Sequence, residues 1–212
     1  MIEVLVSLTI LIVGVVASMR LIGAASITNQ LSKERVIATN LAREGIEAVR
    51  SIRDTNWLRA AGERRRCWNN ASSTSQDCGS ASLMQHEQSY QVDYDQINHR
   101  FQLAALTQVL DLRAGVTGDG SLSYHLFRDA NTGIYTHDSA GGANKNTLYF
   151  RQIYFEYLND TGTALTTRGI GNEEQANVLR VTATVEWADR GVVNDVALTT
   201  IITDYLGRKD HQ

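Results

Sequence analysis

The longest apolar run of the chain stands at its beginning. From Val4 to Met19 no residue carries a charge, and as a helix rising 1.5 Å per residue this stretch spans roughly 24 Å. If the helix continues past Arg20 to Ile27, its length reaches about 36 Å, which is enough to cross a bilayer. The pattern therefore predicts a transmembrane helix over residues 1–27.

Glu3, just ahead of this run, sets it apart from two common kinds of apolar N-terminal helix. A secretory signal peptide begins with Lys or Arg and ends in a small-residue cleavage site, and an ordinary membrane anchor gives no reason for a carboxylate at its apolar end. An ionisable group that enters the hydrocarbon region costs up to about 3 kcal/mol and usually marks a function. Glu3 has no Lys or Arg within helical reach on its own chain. We therefore expect its partner to be the α-amino group of a neighbouring copy.

Beyond Ser26 the apolar residues recur three or four positions apart, the spacing of an amphipathic helix, up to about Trp57. We predict a single helix over residues 1–57, with an apolar part at 1–27 and an amphipathic part at 28–57. At roughly 80 Å it is far longer than the usual globular helix of about 11 to 12 residues, so half of it would have nothing in its own chain to pack on. The apolar residues of the amphipathic part are Ile27, Leu31, Ala38, Leu41, Ala42, Ile46, Val49 and Ile52.

The other faces of the amphipathic part carry charges of both signs. Glu47 with Arg50, and Arg50 with Asp54, are spaced as helical neighbours, and each pair is worth only a few tenths of a kcal/mol. Two interpretations stay open, a solvated face and a set of charges that registers against neighbouring copies. The charged residues are Lys33, Glu34, Arg35, Arg43, Glu44, Glu47, Arg50, Arg53 and Asp54.

After Trp57 the apolar residues alternate with polar ones, which predicts β-strands. The clearest case is an antiparallel hairpin with strands at 179–187 and 196–202 and a turn at 188–191. We therefore predict a β-rich head over residues 58–212. Further strands are expected at 90–94, 101–105, 122–126 and 148–158, and surface loops at 115–121, 129–133 and 139–146.

Composition changes this picture in two places. The net charge of −3 and the pI near 5.9 give no broad attraction to nucleic acid, so we expect no nucleic-acid partner. There are only two cysteines, Cys67 and Cys78, which bracket a polar stretch. We predict a disulfide loop 67–78, which would persist in extracytoplasmic surroundings. Two unpaired thiols in a cytoplasmic protein, a metal site and a redox pair are the alternatives.

Signals for catalysis or metal binding are weak. Residues 129–133 resemble the start of a calcium loop, but no acidic residue completes it, so a hairpin turn is favoured. The histidines show no paired ligand spacing, and neither a nucleophile elbow nor a phosphate-binding glycine loop occurs. The basic group Arg64, Arg65 and Arg66 favours a solvated or intersubunit ionic role over a surface for DNA. We expect neither an enzyme nor a cofactor.

The segment Ile2-Glu3-Val4-Leu5-Val6-Ser7-Leu8 resembles the prepilin-type methylation motif of type IV pilins and type II secretion pseudopilins. Mature chains of that family begin Phe-Thr-Leu-Ile-Glu and run into a hydrophobic helix, and Met1 stands where the family has Leu. The close match covers about the first 25 residues. The family's glutamate is fifth where this one is third, and its basic leader precedes the motif. We therefore expect the natural chain to extend upstream by two residues and a leader.

The resemblance implies a pilin fold, an α+β fold in which the long N-terminal helix packs against a C-terminal antiparallel β-sheet head. It also implies a structural subunit of a type IV pilus, held in the inner membrane before assembly and polymerised with copies of itself into an extracellular filament. A prepilin peptidase, an assembly ATPase and a platform protein are the implied partners. Glu3 becomes the assembly residue. The helix residues of the filament core are Ile2, Val4, Leu5, Val6, Leu8, Ile10, Leu11, Ile12, Val13, Val15 and Val16.

One departure from the family concerns the helix itself. Many pilins carry a proline there, and this chain has none. Gly14 and Gly23, poor helix formers, are the expected places for melting or bending in a filament, with close helix packing as the alternative. Two other functions also stay open: a pseudopilin or minor pilin of a secretion or DNA-uptake system, and a monomeric membrane-anchored protein that binds a ligand with its head.

Overall fold

In the part of the chain that it describes, the structure, a computed structural model, has a long helix followed by nine β-strands. The chain forms two compact units, Met1–Ile37 and Ala38–Gln212. This arrangement confirms the predicted α+β class, with an apolar N-terminal helix and an antiparallel sheet. The residues that the structure describes are 2–59, 67–71, 83–95, 98–119, 122–139, 144–159, 162–165 and 178–204.

Helix α1 runs without interruption over Ile2–Arg59, ending two residues beyond the predicted Trp57. Its length is about 87 Å at 1.5 Å per residue. Glu3 lies in its first turn and Arg59 in its last, and both charges are favourable to the helix dipole. Residues of both compact units therefore belong to this one helix.

Burial of the predicted apolar face begins only in the second unit. The residues from Ala38 to Ile52 on this face are buried, whereas Ile27 and Leu31, at its beginning, remain 42% and 39% exposed. The same periodicity continues through both parts of the helix, and periodicity alone does not show where the packing partner begins. The buried members of the face are Ala38, Leu41, Ala42, Ile46, Val49 and Ile52.

Seven strands form one antiparallel sheet in the second unit. β7 is its central strand: β8 pairs along one edge of β7, and β1 and β5 share the other edge. Along its main path the order is β2-β1-β7-β8-β9, and β6 pairs with β5. The strands are β1 Gln88–Asp95, β2 Arg100–Leu106, β3 Gly118–Asp119, β4 Leu122–Ser123, β5 His125–Asp129, β6 Tyr135–Thr136, β7 Asn144–Leu158, β8 Val178–Asp189 and β9 Val192–Thr203.

The predicted C-terminal hairpin is confirmed, with a tighter turn than expected. Ala188 and Asp189 still pair with β9, so the turn consists of two residues, not four. Arg190 and Gly191 have φ of 50° and 80°, and a two-residue turn with both φ angles positive matches the right-handed twist of the strands. Asp129 also lies at a hairpin turn, as predicted. Its carboxylate accepts hydrogen bonds from the backbone N–H groups two and three residues on, at 2.7 and 3.2 Å.

The predicted strand 122–126 is divided at Tyr124. Its backbone N–H donates to Thr117 O at 2.8 Å, and its carbonyl accepts from Arg151 N at 2.8 Å, while its side chain is fully buried. The prediction of a single strand over 122–126 was therefore wrong. The segment forms two strands in different sheets: β4 pairs with β3, and β5 pairs with β6 and β7.

The core of the second unit lies between α1 and one face of the sheet. β8 supplies it with alternating residues, as the sequence pattern predicts, and β7 adds Ile153, Phe155 and Tyr157, all without solvent exposure. The contribution from β8 is Leu179, Val181, Ala183, Val185 and Trp187.

Candidate functional site

Every residue of α1 from Ile2 to Lys33 is exposed. The most apolar window of this helix has a mean hydropathy of 2.4 with none of it buried. We call residues 2–32 the apolar segment. All the predicted filament-core residues lie in it, and each is between 47% and 80% exposed. A continuous apolar surface of this extent marks a membrane or protein contact.

Hydroxyl groups in the apolar segment bond to the helix itself. The Oγ of Ser7 donates to Glu3 O at 2.9 Å, and Ser18 Oγ donates to Gly14 O at 2.8 Å. Thr9 and Thr28 bond to carbonyls in the preceding turn in the same way. Because these groups are satisfied locally, they place little polar demand on a lipid or protein neighbour.

Glu3 and Arg20 are the only charged residues between positions 2 and 32. Both are exposed. Among the described residues, Glu3 forms no ion pair, and Arg20 lies about 26 Å further along the helix. The segment is thus apolar with one acid at its front and one base near its middle.

The helix passes through Gly14 and Gly23 without a break. A Cβ added at either position would meet nothing within 4 Å, so neither glycine is required for packing against the residues that the structure describes. Bending at these positions in a filament stays a prediction.

Gly45 is the glycine of the helix that is required for packing, and the sequence analysis did not identify it. A Cβ at this position would lie 2.6 Å from Ile153 Cδ1 and 3.4 Å from Arg151 Cδ. The missing side chain lets α1 approach β7 closely. The available signal was a glycine between Ala42 and Ala48 on the apolar face.

Arg151, on β7, is a second residue that the sequence analysis missed. Its side chain is 2% exposed, and Nη1 lies 3.1 Å from Glu44 Oε1 and 3.3 Å from Leu41 O, both on α1. Nη2 donates to Val92 O on β1 at 3.0 Å. One buried guanidinium therefore joins the helix to two strands. The run around it is rich in aromatics, and no pattern in the sequence pairs it with Glu44.

Asp93 and His137 form a polar contact beside this arginine. The Asp93 Oδ1 accepts a hydrogen bond from the His137 backbone N–H at 2.7 Å and lies 3.2 Å from His137 Nδ1. Burial raises the pKa of Asp93, but hydrogen bonding and charge from His137, with the charge of Arg151, outweigh it, so the pKa is lowered from 3.8. This carboxylate therefore stabilises the fold above that pH, and the stabilisation is lost as the pH falls through the lowered pKa.

Glu186, on β8, shows the opposite shift. Burial is the main cause that raises its pKa above 4.5, and Asp111 and Asp195 add to it. The Leu112 backbone N–H, which donates to Glu186 Oε2 at 2.8 Å, and the charge of Arg113 act against the rise. Folding therefore disfavours the charged form of this carboxyl group relative to the unfolded chain.

Of the two ion pairs predicted for the second part of the helix, the structure contains one. Glu47 and Arg50 form an ion pair at 2.5 Å, as predicted. The predicted pair of Arg50 with Asp54 is wrong: Arg50 Nη2 donates to Thr200 Oγ1 at 3.0 Å, and Asp54 pairs with Arg53 at 2.9 Å. The second guanidinium nitrogen of Arg50 therefore bonds to strand β9 and not to Asp54.

The predicted disulfide lies partly outside the described residues. Cys67 is buried and disulfide-bonded, whereas Cys78, the other cysteine of the sequence, lies outside them. Arg64, Arg65 and Arg66 also lie outside them. Next to Cys67, the side chain of Asn56 donates to Asn70 O at 2.8 Å, so the end of the helix is bonded to the segment that carries the cysteine.

His86, one of the described histidines, bonds through its ring to backbone groups of its own chain. His86 Nδ1 accepts from Tyr157 N at 3.0 Å, and His86 Nε2 lies 2.7 Å from Leu165 O. Within the described ranges, no group of three or more His, Cys, Asp or Glu side chains is placed to hold a metal ion. The apolar segment therefore remains the strongest candidate for a functional surface.

A comparison of the chain with protein-family models, with curated protein sequences and with solved structures found no match.

Proposed function

We propose that this chain is the structural subunit of a type IV pilus, polymerising through the apolar segment into an extracellular filament. The observation that carries the proposal is the combination of an apolar helix surface that no described part of the chain buries with an acid in the first helical turn. The resemblance of residues 2–8 to the prepilin motif supports the same conclusion. The body of the subunit adopts the pilin fold, and its role is structural and not catalytic.

The physical driving force for assembly comes from packing and charge pairing. Lipid tails are about as apolar as leucine, so transfer of the apolar segment from bilayer to filament core gains little from the hydrophobic effect. Glu3 changes this balance because its carboxylate is costly in the membrane and finds a cation, the α-amino group of a neighbouring copy, in the filament. Pairing of Glu3 therefore favours the filament over the separate membrane-inserted subunits.

The small free-energy difference between membrane and filament means that the assembly machinery implied by the resemblance must drive extraction of the subunit. Before assembly the subunit sits in the inner membrane, where a prepilin peptidase matures it. A cytoplasmic ATPase, acting through a platform protein, drives its extraction. Since little free energy separates the two surroundings of the apolar segment, the filament can also dissolve back into the membrane.

The test is filament yield from cells that express the chain behind a prepilin leader together with an assembly machinery. Filaments are sheared from the cells and counted by electron microscopy, and membrane-inserted subunit is measured in parallel. We expect abundant thin fibres from the natural sequence. Glu3→Ala and Glu3→Gln should remain in the membrane while the fibre yield falls at least about tenfold, because each subunit added lacks this charge pair.

Glu47→Gln is the matched control. It neutralises another exposed acid of the same helix, outside the apolar segment, and we expect a normal fibre yield from it. Normal yield from both Glu3 variants would refute the role of this residue. Sparse or tip-located subunits in fibres made by another pilin would favour a minor pilin or pseudopilin. A membrane-inserted protein that never enters a fibre would favour an anchored binding protein.

A further inference from the structure

Glu3 differs from the other acids of α1 in having no partner within the described residues. Glu34 is buried and accepts a hydrogen bond from Gln30 Nε2 at 3.0 Å. Glu44 pairs with Arg151, Glu47 with Arg50, and Asp54 with Arg53. The downstream acids of the helix are thus engaged inside their own chain, which leaves Glu3 as the acid of this helix that is available to a second copy.

Arg20 needs an anionic partner in the filament, just as Glu3 needs a cationic one. It is exposed, and it is the only base between Ile2 and Ser32. In a filament core that excludes water, a guanidinium without an anion would be left uncompensated, which is strongly unfavourable. The α-amino group of a neighbour serves Glu3 but is itself a cation. Arg20 therefore needs a carboxylate, and within the apolar segment the only carboxylate is that of Glu3.

Building on the proposed function, we propose that Arg20 of each subunit binds the Glu3 carboxylate of a second copy displaced by about 26 Å along the helix axis. This contact sets the axial register between the two helices. Arginine suits the role because its planar fork binds a carboxylate through two hydrogen bonds.

The same displacement is sterically favourable for two parallel helices. It places Ser7 of one copy at the level of Ala24 of the other, and Val6 at the level of Gly23. Ser7 and Ala24 lie one turn beyond Glu3 and Arg20 on the same helix faces. Small residues at these levels let the helix backbones approach closely, as the two charged side chains require.

A charge exchange tests the pair. We expect Glu3→Arg alone and Arg20→Glu alone to lower the fibre yield at least about tenfold. The double variant with both changes restores the opposite charges and should recover most of that yield. If the α-amino group were the sole partner of Glu3, the double variant would assemble as poorly as Glu3→Arg, and the proposal would be overturned. Membrane-inserted subunit is measured for each variant to show that insertion is unchanged.

Cysteine cross-linking tests the register without changing either charge. The double variant Ser7→Cys with Ala24→Cys is assembled, oxidised and analysed on a denaturing gel. We expect a ladder of covalent oligomers from it, and none from the control pair Ser7→Cys with Ser18→Cys, whose levels differ by only about 16 Å. Normal fibres without the Ser7–Ala24 ladder would overturn this register and leave the proposed function standing. Absence of fibres from the natural sequence would refute the proposed function itself.

Discussion

The apolar segment and the body of the chain, residues 38–204 as far as they are described, use similar residues in opposite ways. Leucine, isoleucine and valine are all exposed in the segment, whereas in the body many of them line a core between α1 and the sheet. Charged residues differ as well: Arg151 is buried among partners, and Arg20 is exposed with no ion-pair partner among the described residues. The covered residues stabilise the fold, and the uncovered ones are those that we propose for assembly.

This comparison is useful because one helix contains both cases. The hydrogen bonding of α1 is the same in its two parts, so differences between substitutions in them reflect their surroundings and not the backbone. The chain offers an arginine, a glycine and a glutamate in each region. All three tryptophans, Trp57, Trp68 and Trp187, lie in the body, so their fluorescence during urea unfolding in detergent reports the stability of the body alone.

The largest effect is expected from the arginines. Arg151→Ala removes the ion pair with Glu44 and the hydrogen bonds that the guanidinium donates to the carbonyls of Leu41 and Val92. Since Glu44 is partly exposed, we expect a loss near the lower end for a broken buried pair, about 3 kcal/mol in the free energy of unfolding. Arg20→Ala should leave that free energy unchanged to within about 0.5 kcal/mol, although it lowers the fibre yield. An equal loss of stability in both variants would contradict the division into two regions.

A smaller loss of stability is expected from the glycines. Gly45→Leu places a side chain where Ile153 and Arg151 leave no room, and overpacking of this kind costs about 2 kcal/mol. Gly14→Leu meets nothing in its own chain, so the urea midpoint of the body should stay at the value of the natural sequence. A normal midpoint for Gly45→Leu would show that β7 can move away from the helix without loss.

Features that depend on local patterns could be predicted from the sequence. The long helix, the strands β1, β2, β7 and β8, and the closing hairpin all follow from periodicity that extends over several residues. Glu3 and the apolar segment could be identified for the same reason, because a lone acid beside an uncharged run can be recognised in the sequence without knowledge of the fold.

Features that depend on contacts between distant residues could not be predicted. Arg151 meets Glu44 only because β7 crosses the helix at that level, and Gly45 matters only because Ile153 lies opposite it. Tyr124 interrupts a strand because its backbone bonds to Thr117 and Arg151. Each of these contacts is set by tertiary packing, which periodicity within one segment does not encode.

The smallest effect, and the one that tests the comparison through pH, is expected from the glutamates. Because burial raises the pKa of Glu186 in the folded chain, the unfolded chain loses this proton first as the pH rises above about 4.5. The unfolded state is then favoured, so this residue lowers stability as the pH rises from that value through the raised pKa. Glu186→Gln keeps an oxygen that can accept from Leu112 N and carries no charge, so the variant should lack this decline.

Glu3→Gln is the matched control for this measurement, and its pH profile of body stability should follow that of the natural sequence. Asp93 does not account for such a decline, because its lowered pKa makes stability fall as the pH decreases, the opposite direction to Glu186. The difference in urea midpoint between Glu186→Gln and the natural sequence, measured between pH 4 and 8, therefore isolates this carboxyl group. An unchanged decline in Glu186→Gln would mean that its carboxylate is as well solvated in the folded chain as in the unfolded one. A changed profile in Glu3→Gln would mean that the apolar segment contributes to the stability of the body, which would contradict the separation of fold and assembly.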